Sequence, residues 1–237
     1  MLTSEAPSVP ATRAARFASH VKLYLTRRFV TPFSRDSEYR KLDRWLTLGL
    51  LTHSSWWRIG GYMSPNEART IAQFAADHGC KRIGQIGFLA GHFVCSALTI
   101  LPDEFTVVSF DIGDHRHSRA AAEWLSNHFE RRHEVIWGNS RETLPQYADA
   151  CHGRTLPFDL IIVDGDHSFL GATADLENVW RFAPNGTFVF MDDLGTNAFN
   201  DGPRLAWETA IKVGHIEPFD QFTDIGGHIF AVGIVRN

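Results

Sequence analysis

The sequence predicts an α/β fold: a mostly parallel β-sheet with helices on both faces, ending in an antiparallel hairpin. Three observations predict it. From Arg82 onward, short runs rich in Val, Ile and Phe alternate with longer helical patterns. Each short run leads towards Gly or Asp. The tail "FDQFTDIGGHIFAVGIV" then sets a Gly226-Gly227 turn between two β-like runs with no helical segment between them.

The elements follow in chain order. Ala14 to Leu51 reads as helical, with Phe17, Val21, Leu25, Phe29, Leu42, Trp45 and Leu46 spaced among Arg and Lys and a break near Thr31-Pro32-Phe33. Such a basic amphipathic stretch suits a membrane surface, a partner, or packing on its own domain or in a dimer, and the last is the plainer reading. "SSWWRIGGYMSPNEA" is an aromatic, Gly-rich loop ending in a capping signature, Ser64 three residues before Glu67, so a helix is expected from Pro65 to about His78. Strands are expected at Arg82–Ile86, Thr106–Phe110, Glu134–Trp137, Asp159–Val163 and Thr187–Met191. Helices are expected at His92–Leu101, Ser118–Phe129, Arg141–Cys151 and Gly171–Phe182.

The 237 residues suffice for one sizeable α/β domain and a short extra lobe, which we set at 60–237 and 1–59. A net charge of -4 supplies no basic field for phosphate backbones, which argues against nucleic acid. No apolar run reaches the roughly 20 residues of a membrane span, so a small molecule is the expected partner. Cys80, Cys95 and Cys151 are an odd number at wide spacing without a CxxC pair, as expected of reduced thiols. The first residues lack the apolar core of a secretory signal, so cytoplasmic residence is expected, although their Ser, Ala and Arg content would also suit a transit peptide.

In open α/β sheets, ligands lie beyond the carboxyl ends of the strands. Five strand ends here carry chemistry. "IGQIGFLAGHF" brings Gly87 and Gly91 into a tight turn before a helix, although it fails the GxGxxG dinucleotide pattern, which disfavours an NAD-dependent dehydrogenase. Asp111 ends "VVSFD", 24 residues beyond Gly87, where such folds hold ribose hydroxyls; a helix cap is the alternative. In "WGNSRETLP", Asn139 and Ser140 could line an adenine pocket or Ser140 could cap the next helix. "IIVDGDHSFL" runs an apolar strand into Asp164, Asp166 and His167, and "FMDDL" does the same with Asp192 and Asp193. If these two strands are neighbours, three or four carboxylates converge, and their repulsion calls for a cation or a raised pKa.

The ordered series "IGFLAGHF", "SFDIGDH", "WGNSRETLP", "FDLIIVDGDHSFLGATADLENVWRFAPNG" and "VFMDDL" resembles the motifs of class I S-adenosylmethionine-dependent methyltransferases, particularly the small-molecule branch containing the macrocin and mycinamicin O-methyltransferases. The resemblance covers roughly Gly60 to Val235. It implies a Rossmann-like, seven-stranded sheet and a hydroxyl of a natural product as acceptor. It also implies S-adenosylmethionine as cofactor, with Gly87, Phe88 and Gly91 beside its methionine part, Asp111 on ribose, Asn139 and Ser140 near adenine, and Asp164 at the same pocket. Asp164, Asp192 and Asp193 would hold Mg2+. Three positions depart from the pattern: Gln85 stands where the family usually has an acid, and Leu89 and Phe93 where it often has Asn and Ser.

His167 is a candidate general base beside Asp164, because an imidazole near pKa 6.5 suits proton removal at neutral pH; it could equally orient Asp164 or cap the following helix. His92 and His228 are weaker candidates, since an isolated His is more often structural. Trp56, Tyr62 and Phe199, with the loop from Thr196 to Pro203, are expected to form a lid. The alternatives are a metal-independent N-methyltransferase and a non-catalytic cofactor-binding protein of the same fold. A homodimer through the N-terminal helices is the expected assembly.

Overall fold

The structure, a computed structural model, describes residues 38, 41, 42, 63–196, 201–224 and 227–237. The chain enters the domain through α1 (Pro65–Asp77). Ser64 caps this helix by accepting from the Glu67 N–H at 3.1 Å, and Pro65 stands in the first turn, where its missing N–H costs nothing. Strands and helices then alternate: β1 (Arg82–Ile86), α2 (His92–Ile100), β2 (Thr106–Asp111), α3 (Arg116–His128), β3 (His133–Trp137), α4 (Ser140–Ala150), β4 (Leu160–Val163), α5 (Phe169–Phe182) and β5 (Phe188–Met191). The chain continues through α6 (Asp201–Lys212), β6 (Ile216–Thr223) and β7 (Ile229–Val235).

The seven strands form one sheet in the order β3-β2-β1-β4-β5-β7-β6. The first five are parallel, and β7 runs antiparallel to both β5 and β6. Side chains alternate across the sheet into two cores. Ile83, Val107, Leu160, Ile162 and Phe190 pack on one face with α1 and α2; Phe110, Ile161, Val163, Val189 and Met191 pack on the other with α4 and α5. Both faces are therefore dry, which is why these strands read as continuous apolar runs.

The register sets up the site. Ile86 pairs with Val163 and Val163 with Met191, so the residues that follow, Gly87, Asp164 and Asp192, leave three adjacent strands at one level. The order reverses between β1 and β4, the place where this architecture opens a crevice. Pairing continues past the strand ends, with Asp164 N–H donating to Ile86 O at 2.9 Å and Asp192 N–H to Val163 O at 3.1 Å.

Between Pro65 and Met191 the expected strands and helices are all present, with ends moved by one or two residues. One expectation is corrected. The loop set at Thr196 to Pro203 gives way at Asp201 to α6, whose first two turns are braced by Arg204 on Asp201 (2.9 Å) and on Glu208 (2.8 Å). Trp56, Tyr62 and Phe199, the lid candidates, lie outside the described residues, as do most of the 14–51 segment and Gly226. Of that segment, Leu42 is buried in the first core and Glu38 lies 3.2 Å from His128 on α3, as packing on its own domain requires. Cys80 and Cys95 are buried and Cys151 is half-buried. Among the described residues, no helix is long and apolar enough to cross a membrane.

Candidate active site

The turn after β1 explains its glycines. Gly87 (φ +92) passes so close to β4 that a Cβ there would lie 1.9 Å from the Asp164 carbonyl oxygen. Gly91 (φ +72) precedes α2, and its Cβ would strike Leu125 at 2.4 Å. With Gly91 as N-cap, the first turn of α2 has no side-chain cap, leaving a helix N-terminus at the cleft. Asp111 sits opposite. Its Oδ2 accepts from the N–H groups of Phe88 (2.9 Å) and Leu89 (2.8 Å), and its Oδ1 accepts from Gly113 (2.7 Å). One carboxylate at the end of β2 thus ties the glycine turn to its own loop. Phe88 contributes only main chain, because its ring is buried against His133.

Gln85, the departure from the family pattern, is 3% exposed beneath this turn. Its amide donates to Gly87 O at 2.8 Å and accepts from Ser109 Oγ at 3.0 Å, and Ser109 in turn contacts His133 Nε2 at 3.1 Å. A carboxylate could not donate to Gly87, so the amide suits this local arrangement. Burial pushes the His133 pKa down to about 3. His92 is likewise pushed down to about 3 by burial and by His117, which suits a core histidine.

At the end of β3, Asn139 caps α4 by accepting from Arg141 N–H at 3.1 Å, while Ser140 donates to Asp175 on α5 at 2.5 Å. The cap expected at Ser140 is therefore Asn139. Asp166 accepts from Ser168 N–H at 2.9 Å, and Ser168 itself caps α5.

The acidic residues converge in two neighbouring groups, each with an imidazole. Asp164, His167 and Asp193 form one group of donors mutually within 4.8 Å, and Glu67, Asp192 and His228 form a second. His167 Nδ1 lies 2.9 Å from Asp193 Oδ2, and its Nε2 lies 3.7 Å from Asp164 Oδ1. His228 Nε2 lies 2.5 Å from Asp192 Oδ1 and 3.5 Å from Glu67 Oε1, and its Nδ1 lies 3.5 Å from Asp193 Oδ1. Asp193 thus faces both imidazoles, one with each oxygen, and does so from a left-handed backbone (φ 57) that only a local demand sustains in a non-glycine residue.

The electrostatics match a crowded, half-dry site. Burial, then Asp192, Asp193 and Glu67, push the Asp164 carboxyl well above the usual range. Burial and Asp192 push Glu67 up to about 8. Burial alone would raise Asp192 too, but the His228 hydrogen bond and charge hold it below its ordinary value. Burial lowers His228, and Asp192 and Glu67 outweigh it, lifting the imidazole to about 11. His167 is raised in the same way, burial being outweighed by Asp193.

Two residues of this site are hidden in the sequence. Glu67 reads as part of a capping box, yet its side chain is 1% exposed and faces His228. His228 reads as an isolated hairpin histidine, and the antiparallel pairing of β7 on β5 is what delivers it to Asp192.

Residues 85–194 match the methyltransferase domain family. No curated protein matches the sequence. Among solved structures, the chain is similar to an O-methyltransferase from Bacillus cereus in complex with SAH, at 18% identity and a TM-score of 0.68, over 93% of this chain and 100% of that one. It is also similar to the O-methyltransferase TomG from Streptomyces achromogenes, involved in tomaymycin synthesis and bound to SAM, at 17% identity and 0.64, over 96% and 100%. A third is the SAH-bound methyltransferase PaMTH1 from Podospora anserina, at 14% identity and 0.63, over 100% of both chains. Residues 85–194 thus match a methyltransferase domain, and the chain has the fold of these solved methyltransferases.

Proposed function

We propose that this protein transfers a methyl group from S-adenosylmethionine to a hydroxyl oxygen of a small molecule, with a divalent cation at the acidic cluster. The observation that carries the reading is the meeting of the Gly87 turn, Asp111 and Asp164 at one row of strand ends. The residues fit the cofactor. Asp111 keeps acceptor capacity towards a ribose hydroxyl beyond the three N–H groups it already receives, and the uncapped start of α2 suits a carboxylate. Asn139 and Ser140 flank the adenine side through their backbone, since their side chains are engaged with Arg141 and Asp175. When bound, S-adenosylmethionine supplies an electrophilic methyl on a sulfonium.

The residues also fit a cation, because the Asp164 carboxyl is disfavoured as an anion by its burial and by its acidic neighbours. Asp164, Asp192 and Asp193 would hold Mg2+, which would supply a Lewis acid and a template for the acceptor oxygen. The chain's own part in the chemistry is positioning and proton removal. His167 Nε2 takes the hydroxyl proton, and the resulting imidazolium is stabilised by Asp193 at 2.9 Å and Asp164 at 3.7 Å. Pro203, at the start of α6, helps wall this cleft. A natural-product acceptor is the substrate class we favour, in line with what TomG is said to serve.

Two measurements test the reading. Titration calorimetry is expected to show S-adenosylhomocysteine binding that Asp111→Ala weakens about 10- to 100-fold, the loss of one or two charge-assisted hydrogen bonds. An unchanged affinity would remove the ribose assignment. Turnover on a panel of catechols, sugars and macrolides is expected to collapse in EDTA and return with Mg2+; turnover indifferent to EDTA would point to metal-independent methylation of an amine.

A further inference from the structure

We propose that Glu67, Asp192 and His228 form a second cation site that takes a borderline divalent ion such as Zn2+ or Co2+ in preference to Mg2+. The proposal rests on the second donor group and not on the methyl-transfer reading. Three elements remote in sequence build the site: α1 supplies Glu67, the end of β5 supplies Asp192, and the start of β7 supplies His228.

Glu67 is the observation that demands a ligand. It is 1% exposed, and neither carboxylate oxygen makes a hydrogen bond among the described residues. A capping-box role would turn it back to the Ser64 N–H, but it points to His228 instead, with Oε1 at 3.5 Å from Nε2. A buried carboxylate without donors is costly, and a bound cation removes that cost.

Geometry, charge and donor type then agree. The donor atoms lie within 4.8 Å of one another; an ion at about 2.0–2.2 Å from each ligand needs donors about 3–4 Å apart, as Glu67 Oε1 and His228 Nε2 already are at 3.5 Å, while His228 Nε2 and Asp192 Oδ1, at 2.5 Å, must open to admit it. Two carboxylates and a neutral imidazole balance a dication. His228 Nδ1 faces Asp193 Oδ1 at 3.5 Å, placing a carboxylate behind the imidazole as metal-bound histidines usually have. An imidazole ligand disfavours Mg2+, which prefers oxygen, and suits the later first-row ions. The Mg2+ assigned above would keep Asp164 and Asp193, and Asp192 is the one carboxylate that the two sites would have in common.

The test uses full-length protein stripped with a chelator and titrated with Co2+, read by visible absorption. One equivalent is expected to bind with a nitrogen-ligand spectrum, to resist a 100-fold excess of Mg2+, and to bind at least about tenfold more weakly in Glu67→Gln and His228→Gln. Asp164→Asn, outside the donor set, is expected to weaken Co2+ clearly less than Glu67→Gln or His228→Gln does. Co2+ affinity that ignores both Glu67→Gln and His228→Gln, or that follows Asp164 instead, overturns the proposal. Should either variant fail to fold by circular dichroism, Glu67→Asp, which keeps the charge but withdraws the carboxylate, is expected to give the same weakening. S-adenosylhomocysteine binding on the same samples separates the two ideas: intact cofactor binding without a Co2+ site sinks only this inference, and the reverse sinks only the methyltransferase reading.

Discussion

Gly87→Ala is expected to destabilise the protein by about 2–5 kcal/mol and to abolish measurable S-adenosylhomocysteine binding, the sum of a left-handed conformation and a steric overlap. The overlap is with backbone. A Cβ on Gly87 would lie 1.9 Å from the Asp164 carbonyl oxygen and 2.6 Å from its carbon, and β4 is fixed there by Asp164 N–H donating to Ile86. Neither strand can step aside without breaking the row of ends that defines the cleft. Gly186→Ala is the control, because Gly186 has a similar φ (+96) but nothing within 4 Å of its Cβ, so only a cost of about 1–2 kcal/mol is expected. Thermal unfolding and calorimetry on both variants decide the matter. If Gly87→Ala melts like Gly186→Ala and still binds the cofactor product, β1 and β4 do not meet as described.

The elements that gave themselves away in sequence are those whose local pattern and tertiary role agree. The inner strands β1, β4 and β5 are buried on both faces, so burial wrote itself as runs such as Leu160–Val163, and the strand ends announced themselves because Gly87, Asp164 and Asp192 interrupt those runs. Ser64 likewise caps a helix through the pattern that foretells it.

What stayed hidden is non-local. Glu67 satisfies a three-residue capping rule so well that the rule conceals its side chain's real surroundings, 125 residues downstream at Asp192 (192 minus 67). His228 carries no local signal at all, because only the antiparallel return of β7 beside β5 brings it to the cluster. The start of α6 was missed for the opposite reason: Gly202 and Pro203 read as loop residues, yet Pro is tolerated in a first helical turn and Gly202 is needed where a Cβ would lie 2.2 Å from His167 O. The sequence-derived Mg2+ trio, Asp164, Asp192 and Asp193, depended on neighbouring strands, which β4 and β5 are, but spacing could not reveal that two imidazoles would share those carboxylates out.

Asp175→Asn is expected to stabilise the protein by roughly 2–3 kcal/mol above pH 6.5 and to leave stability nearly unchanged at pH 4, the linkage cost of one buried carboxylate. Asp175 lies on α5 at 1% exposure, and burial raises its pKa from 3.8 to about 6 against the opposing hydrogen bond from Ser140. The sign follows from proton counts. Between pH 3.8 and about 6 the folded state holds a proton that the unfolded chain has released, so stability falls as pH rises through that window and stays lower above it. Asparagine keeps an oxygen to accept from Ser140 Oγ and cannot ionise, so the variant escapes the fall. Ser140 then keeps its direction at the mouth of α4, and S-adenosylhomocysteine affinity is expected to stay within about twofold. Urea unfolding of both proteins at pH 4 and pH 7 measures the difference: a stability gap that does not widen with pH would mean that Asp175 ionises as freely in the fold as in water. A stability gap with the expected pH dependence but a lost cofactor affinity would instead show that the Asp175 charge itself, through Ser140, shapes the adenine side of the cleft.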